Sequence, residues 1–248
     1  MKTLSYRTEG RIGYLTLNRP ASYNAVDEEM ATELHQFWNE RLHDETVGVI
    51  ILDGGEAKGF CAGLDMQTYG PRIFQMPATE AYQAQVHLSR LLLAMRRAPQ
   101  PIICCVHGAA AGLGFSLVMA SDVRILAEDA RFSAAYINIG LGGADMASSY
   151  FLPRLIGSGR ANEFLLTGNW LSAAEAMSLG FASRLVAKDQ LLETAQAIAA
   201  VMVSKDPLGL RMTKEAININ LDAGGLEACL QLEDRNQIMI LLAKNRQG

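Results

Sequence analysis

Two short, wholly apolar runs constrain this chain more than any other feature. Val47–Leu52 reads VGVIIL and Pro101–Val106 reads PIICCV. Each has strand length, and neither alternates with polar residues, so each must be covered on both faces. That demands helices on either side of a sheet. Asp27, a favoured N-cap, precedes Met30, Leu34, Phe37, Trp38 and Leu42 at helical spacing. Thr79–Arg97 places Leu88, Leu91, Leu92 and Met95 on one helical face. Ile12–Leu17 alternates as a half-buried strand should, and Asp122–Ala127 is a further strand. Strand–loop–helix units recur at roughly fifty-residue intervals without a visible sequence repeat, which predicts an α/β architecture with parallel strands. From Arg154 onward the pattern is almost wholly helical, with starts at Ser172, Asp189 and Asp206-Pro207. The last long helix, roughly 225–243, carries Leu226, Leu230, Ile238 and Leu241. That apolar face needs cover from its own core or from another subunit.

A chain of 248 residues fits one large domain, or one domain with a helical appendage. The net charge of −4 is spread along it, and no basic run forms, so nucleic acid is not an expected partner. A phosphate-rich ligand needs only a few cations and backbone N–H groups and stays open. The opening stretch MKTLSYRTEGRIGYLTLNRP lacks the apolar run and cleavage site of a secretory signal. No apolar stretch of about 18 residues occurs, so no membrane span is expected. Cys61, Cys104, Cys105 and Cys229 form no C-x-x-C pair, and two of them sit side by side inside a strand. That pattern predicts neither a disulfide framework nor a metal site, and fits a reducing cytoplasm.

Two loops look chemical. Phe60-Cys61-Ala62-Gly63-Leu64-Asp65 follows the first apolar strand at a short distance. Gly108-Ala109-Ala110-Ala111-Gly112-Leu113-Gly114 follows the second and opens into a helix, whose free N–H groups and positive dipole end face outward. Small residues let a ligand approach the main chain. One N–H from each loop would make an oxyanion hole for a carbonyl that gains charge. The plainer alternative is that the glycines only allow tight strand–helix packing.

In order along the chain stand Asn18-Arg19-Pro20 with Asn24-Ala25, the Phe60–Asp65 loop, Pro101-Ile102-Ile103 with the Gly108–Gly112 loop, and Ser121-Asp122. Phe132, Ile139-Gly140-Leu141, Leu152-Pro153-Arg154-Leu155-Ile156-Gly157, Leu166-Thr167-Gly168 and Ala173-Ala174-Glu175-Ala176 follow. Together these resemble the enoyl-CoA hydratase/isomerase (crotonase) superfamily, from near the start to about residue 190. The resemblance implies a crotonase-type spiral of repeated ββα units over residues 1–190. A helical C-terminal region would occupy 191–248 and serve trimerisation, giving a homotrimer or a hexamer. It implies an acyl-CoA substrate, with coenzyme A entering as part of the thioester and no permanently bound cofactor. The oxyanion donors would be the N–H groups of Leu64 and Leu113. Ala25, Ala62, Leu64, Asp65, Met66 and Gly112 would line the coenzyme A.

The chain departs from the hydratases of the family, which resemble one another in two glutamates that hold and activate a water. Those positions fall here on Ser116 and Tyr136. A serine hydroxyl is a poor base at neutral pH, and tyrosine titrates near ~10. Efficient hydration therefore lacks acid/base machinery. One acid remains, Asp145 in Gly142-Gly143-Ala144-Asp145-Met146. It falls where dienoyl-CoA isomerases carry a catalytic aspartate and where chlorobenzoyl-CoA dehalogenases carry a nucleophile. The small Gly143 and Ala144 would leave room for a substrate beside it. Asp145 could equally be the N-cap of the helix that follows.

Other residues fit structural roles better. His87 lies on a helix, two residues from the position of the dehalogenases' base, and His107 ends a strand. Asp65 shapes a loop near the coenzyme A, and Cys61 has no cationic partner to make it a nucleophile. Met66, Tyr69, Phe74 and Met76 are candidates for a lid over the acyl group. Four functions remain open: an isomerase with Asp145 as acid/base, a hydrolase or dehalogenase with Asp145 as nucleophile, a catalytically silent acyl-CoA-binding homologue, and a serine peptidase using Ser116. The last lacks a recognisable histidine and acid partner.

Overall fold

The computed structural model describes residues 1–245. The chain begins with β1 (Leu4–Glu9), β2 (Ile12–Leu17), α1 (Glu28–Arg41), β3 (Val49–Asp53), α2 (Tyr69–Gln75) and α3 (Ala78–Arg97). Then come β4 (Ile102–Val106), β5 (Ala109–Ala111), α4 (Leu113–Ala120), β6 (Val123–Ala127) and β7 (Arg131–Ser133). After them run α5 (Ser148–Ile156), α6 (Ser158–Thr167), β8 (Leu171–Ser172), α7 (Ala173–Ser178) and β9 (Arg184–Val186). The chain closes with α8 (Leu191–Val203), α9 (Pro207–Asn220) and α10 (Leu226–Asn245).

A six-stranded sheet has the order β1-β2-β3-β4-β6-β9, and a three-stranded sheet has the order β5-β7-β8. The ββα repeat of the spiral is visible in this division. β4 lies in the large sheet, β5 in the small one, and α4 follows; β6 and β7 divide in the same way. The loop after β3 joins through a parallel bridge between Cys61 and Ala110. From β2 to β9 the large sheet is parallel, and only β1 pairs antiparallel.

Successive strand residues point to opposite faces, which explains the wholly apolar runs. Ile50, Leu52, Ile102, Cys104 and Val106 face one core, shared with α1, α3 and α4. Val49, Ile51, Ile103 and Cys105 face a second core, closed by Leu191, Ala195 and Ala199 of α8. The boundary expected at residue 190 thus falls just before a helix that covers the main sheet. Behind the glycine loop, Phe115, Phe132 and Phe181 stack with centroids 5.1–5.7 Å apart. Truncating any of these buried rings would cost about 3–5 kcal/mol.

The sequence reading misses β1 and the short strands. β1 is an edge strand with mostly exposed residues, so burial leaves little pattern on it. β5, β7, β8 and β9 have two or three residues each, too few to show a period, and two of them interrupt the stretch read as helical. Ser172 caps α7 in a reciprocal pair with Glu175, and Asp206 caps α9 with Pro207 at its first position. Asp189 does not start α8. It sits in a 3-10 turn, Lys188–Gln190, that carries the chain into the helix.

No helix among the described residues is long and apolar enough to cross a membrane.

Candidate active site

The two glycine-bearing loops meet. Cys61 N–H donates to Ala109 O at 3.2 Å, and Ala111 N–H donates to Cys61 O at 3.0 Å. The Asn18–Ala25 loop supports them from below. Tyr23 and Asn24 both adopt positive φ, and the buried Asn24 amide donates to Gly54 O and Phe60 O. Val26 N–H donates to Gly63 O, and Asp65 N–H donates to Val26 O. Leu64 N–H, between them, is left over. Leu113 N–H opens α4 and is one of the groups that a helix leaves unpaired at its start. Among the described residues neither amide donates to a backbone acceptor outside a helix or strand.

Both amides are prepared by a glycine that no other residue replaces easily. Gly63 has φ +92°, and a Cβ there would lie 2.7 Å from Ala111 O and 3.4 Å from Leu113 N. Gly112 has φ +50° and ψ −123°, and its Cβ would point at the Tyr136 ring, 3.4 Å from Cε1. Space that a side chain would fill is therefore kept open between the loops.

Beside this point lies a cavity of about 240 Å³. Ala62, Leu64, Met66, Gly112, Leu113 and Tyr136 line it, and so does Asp145. Ile73, Phe74, Leu88, Ile139, Leu141 and Met146 make most of the remaining wall apolar, and Gln85 adds one polar side chain to it. Met66 and Phe74, expected at a lid, lie at its side and are well exposed, whereas Tyr69 is buried in the core.

Asp145 reaches the cavity from the segment before α5. Its Oδ1 accepts from Met146 N–H at 2.7 Å and from the Gln85 side-chain amide at 2.6 Å. Its Oδ2 accepts from no donor among the described residues. The cap alternative is corrected here: α5 starts at Ser148 with Ala147 in the cap position, and no side chain caps it. Met146 and Ala147 both have positive φ, 45° and 59°. Such backbone costs about 1–3 kcal/mol per residue and collects at functional sites. Gly143 also has another role than expected. A Cβ on it would lie 2.1 Å from Leu165 O, so its size serves the approach to α6 and not the passage of a substrate.

Ser116 and Tyr136 face each other, with Oγ and the phenol oxygen 3.2 Å apart. Burial pushes the Tyr136 phenol well above its ordinary value, the Asp145 charge adds to the rise, and the Ser116 hydroxyl opposes it. Tyr136 is therefore a neutral O–H group throughout the physiological range.

Five other residues stand apart from the cavity wall. Asp65 is buried and forms an ion pair with Arg19 at 3.0 Å, and its Oδ1 accepts the N–H groups of Gln67 and Thr68. Ala25 lies in the supporting loop, where its carbonyl also accepts from Arg19. His87 stacks on His35 at 4.2 Å, at a surface groove between α1 and α3. Cys61 is fully buried, and burial pushes its thiol up to about 12, which makes it inert as a nucleophile. His107 is buried with Nε2 2.7 Å from Ala57 O.

Sequence reasoning did not find Gln85. A signal was present, because Gln85 is a polar residue on the apolar stripe of α3, three residues before Leu88 and seven before Leu92.

The family described as Enoyl-CoA hydratase/isomerase matches residues 7–247. The chain is 37% identical over 238 residues to "Probable enoyl-CoA hydratase echA12" of Mycobacterium leprae, covering 93% of this chain and 79% of the relative. It is 31% identical over 233 residues to the 1,2-epoxyphenylacetyl-CoA isomerase of Escherichia coli K12, covering 94% and 88%. A crystal structure described as a probable enoyl-CoA hydratase/isomerase from Mycobacterium abscessus superposes with a TM-score of 0.90 at 36% identity, covering 97% and 90%. This chain belongs to the enoyl-CoA hydratase/isomerase family. It is an acyl-CoA enzyme of that family, and coenzyme A enters as part of its thioester substrate.

Proposed function

We propose that the chain isomerises an unsaturated acyl-CoA, with Asp145 as the single acid/base group. The observation that carries this reading is one free carboxylate oxygen on the wall of an apolar cavity that also holds the Leu64 and Leu113 amides. The amides take the thioester oxygen. Asp145 removes a proton from the carbon next to the carbonyl, and the electron pair moves into a dienolate whose oxygen the two N–H groups stabilise. Asp145 then delivers a proton, which exchanges with solvent while the dienolate lasts, at the far end of the unsaturated system, so the double bond moves and one proton gained balances the one removed.

Hydration requires a second group to hold and activate water. A serine and a neutral phenol, bonded to each other, occupy the places where the family resemblance puts the hydratase glutamates. The likeness to an isomerase acting on a coenzyme A thioester supports the same reading. The apolar lining favours a hydrocarbon acyl chain. A homotrimer is part of this proposal. Ile217, Leu226, Ile238 and Leu241 on α9 and α10 are exposed, and a second copy would cover them.

The test is 3-hexenoyl-CoA in deuterium oxide, followed by mass spectrometry. The wild-type protein should produce 2-hexenoyl-CoA with deuterium in the acyl chain. Asp145→Asn should retain coenzyme A binding and lose about 10²–10⁴ in turnover. An Asp145→Asn variant at full rate would overturn the role of the carboxylate. A trapped acyl adduct on Asp145 would favour the nucleophilic alternative.

A further inference from the structure

We propose that Gln85 is a positioning residue for Asp145, and that it selects Oδ2 as the oxygen that exchanges a proton with the substrate. The proposal rests on the acid/base reading of Asp145 given above. A carboxylate offers two equivalent oxygens and turns about its last bond over a broad, roughly two-fold profile. Here the two are made different. Oδ1 accepts from both the Gln85 amide, at 2.6 Å, and Met146 N–H, at 2.7 Å. Oδ2 accepts from nothing among the described residues. A group that both accepts and returns a proton must keep one lone pair aimed at the acyl chain throughout the reaction. Two donors on the opposite oxygen achieve that.

The elements involved explain why the aim needs help. Asp145 stands on an irregular segment with two left-handed residues immediately after it. Gln85 stands on α3, a 20-residue helix whose apolar stripe is packed into the core through Leu88, Leu91, Leu92 and Met95. The hydrogen bond thus ties a carboxylate on a loop to a rigid element 60 positions away in sequence. A hydrogen bond to a charged acceptor is stronger than one to a neutral group, which makes this tie a firm one. Tyr136 is the only other titratable side chain lining the cavity among the described residues, and it stays neutral.

The experiment compares wild type, Gln85→Leu, Gln85→Glu and Asp145→Asn in the 3-hexenoyl-CoA exchange assay across pH. Gln85→Leu keeps the shape and loses the donor. It should lower kcat roughly 10- to 100-fold, the worth of one hydrogen bond to a charged group, with KM within about twofold. Gln85→Glu can donate only while its own carboxyl is protonated, so it should recover activity toward low pH and lose it as pH rises, a trend that Gln85→Leu should lack. A merely structural glutamine would change stability and expressed yield without this split between kcat and KM and without the pH trend of Gln85→Glu. Gln85→Leu with wild-type kcat, beside an inactive Asp145→Asn, would overturn the role of Gln85 and leave the role of Asp145 standing. An active Asp145→Asn, or a wild type that exchanges no proton, would overturn both.

Discussion

The contact between the two glycine-bearing loops can be forced apart at one atom. Gly114 is the second residue of α4, with ordinary helical φ, so alanine there carries no backbone strain. Its added Cβ would lie 2.3 Å from Cys61 O and 2.7 Å from Cys61 Cβ. Ordinary contact begins near 3.4 Å, so the Cys61 carbonyl must retreat by about 1 Å. That carbonyl accepts from Ala111 N–H, and Cys61 N–H holds Ala109 O, so both bonds stretch together. Overpacking of this kind costs about 1–3 kcal/mol, and a weakened buried hydrogen bond adds about 1 kcal/mol. The expected loss is roughly 2–4 kcal/mol, or about 4–16 °C in Tm for a domain of this size. Leu64 lies three residues beyond Cys61, and a donor displaced by about 1 Å can cost on the order of 10²-fold in rate. Thermal melting at fixed protein concentration, with the exchange assay alongside, reads both effects. Gly159→Ala is the control, because α6 leaves nothing within 4 Å of its Cβ, and it should be neutral or slightly stabilising. A Gly114→Ala protein melting within about 2 °C of wild type, with unchanged turnover, would refute the argument.

Three further outcomes follow from the same geometry. Crotonyl-CoA hydration should be slow, because Ser116 and Tyr136 supply no carboxylate; turnover matching that of a two-glutamate hydratase would contradict this. Asp65→Asn should cost about 1.5–3 kcal/mol at neutral pH through the weakened Arg19 pair. Burial pushes the Asp65 carboxyl up, but Arg19 and the amides of Gln67 and Thr68 outweigh it and hold it below its ordinary value. A depressed folded value contributes stability above the unfolded value of about 3.9 that disappears as pH falls through the folded one. The gap between wild type and Asp65→Asn should therefore close below about pH 4, and a gap constant from pH 7 to 3 would contradict the pairing. Sedimentation should give about three times the chain mass, and Ile238→Glu with Leu241→Glu should reduce it to one; a wild-type monomer at micromolar concentration would remove the trimer.

The parts of the fold that were legible are those whose burial is decided locally. VGVIIL and PIICCV can be apolar throughout only if both faces are covered, and α8 on one side with α1, α3 and α4 on the other provide that cover. Capped helix starts were legible for the same reason, since Asp27, Ser172 and Asp206 satisfy N–H groups within their own next turn. The strands of the small sheet were not. Three residues such as Ala109–Ala111 become a strand only because the loop after β3 and the strand after β6 lie on either side of them.

The candidate site divides along the same line. The glycines before Leu64 and Leu113 made the two loops stand out in the sequence, but only the family resemblance pointed to those two amides as the proposed donors; the structure brings both residues to one cavity. Asp145 could be read as the one acid left in its region. Its partner could not. Gln85 matters only through a contact spanning 60 positions, and along α3 it registers as no more than a polar residue on an apolar stripe. The reason Gly143 is small was hidden too, because the atom it makes room for is Leu165 O on another helix. Both cases share a cause. A sequence displays what a residue does to its own backbone and to its own face of a helix or strand. What it does for a carboxylate brought in by another segment becomes visible only once the two segments have packed, and orienting a reactive oxygen is work of that second kind.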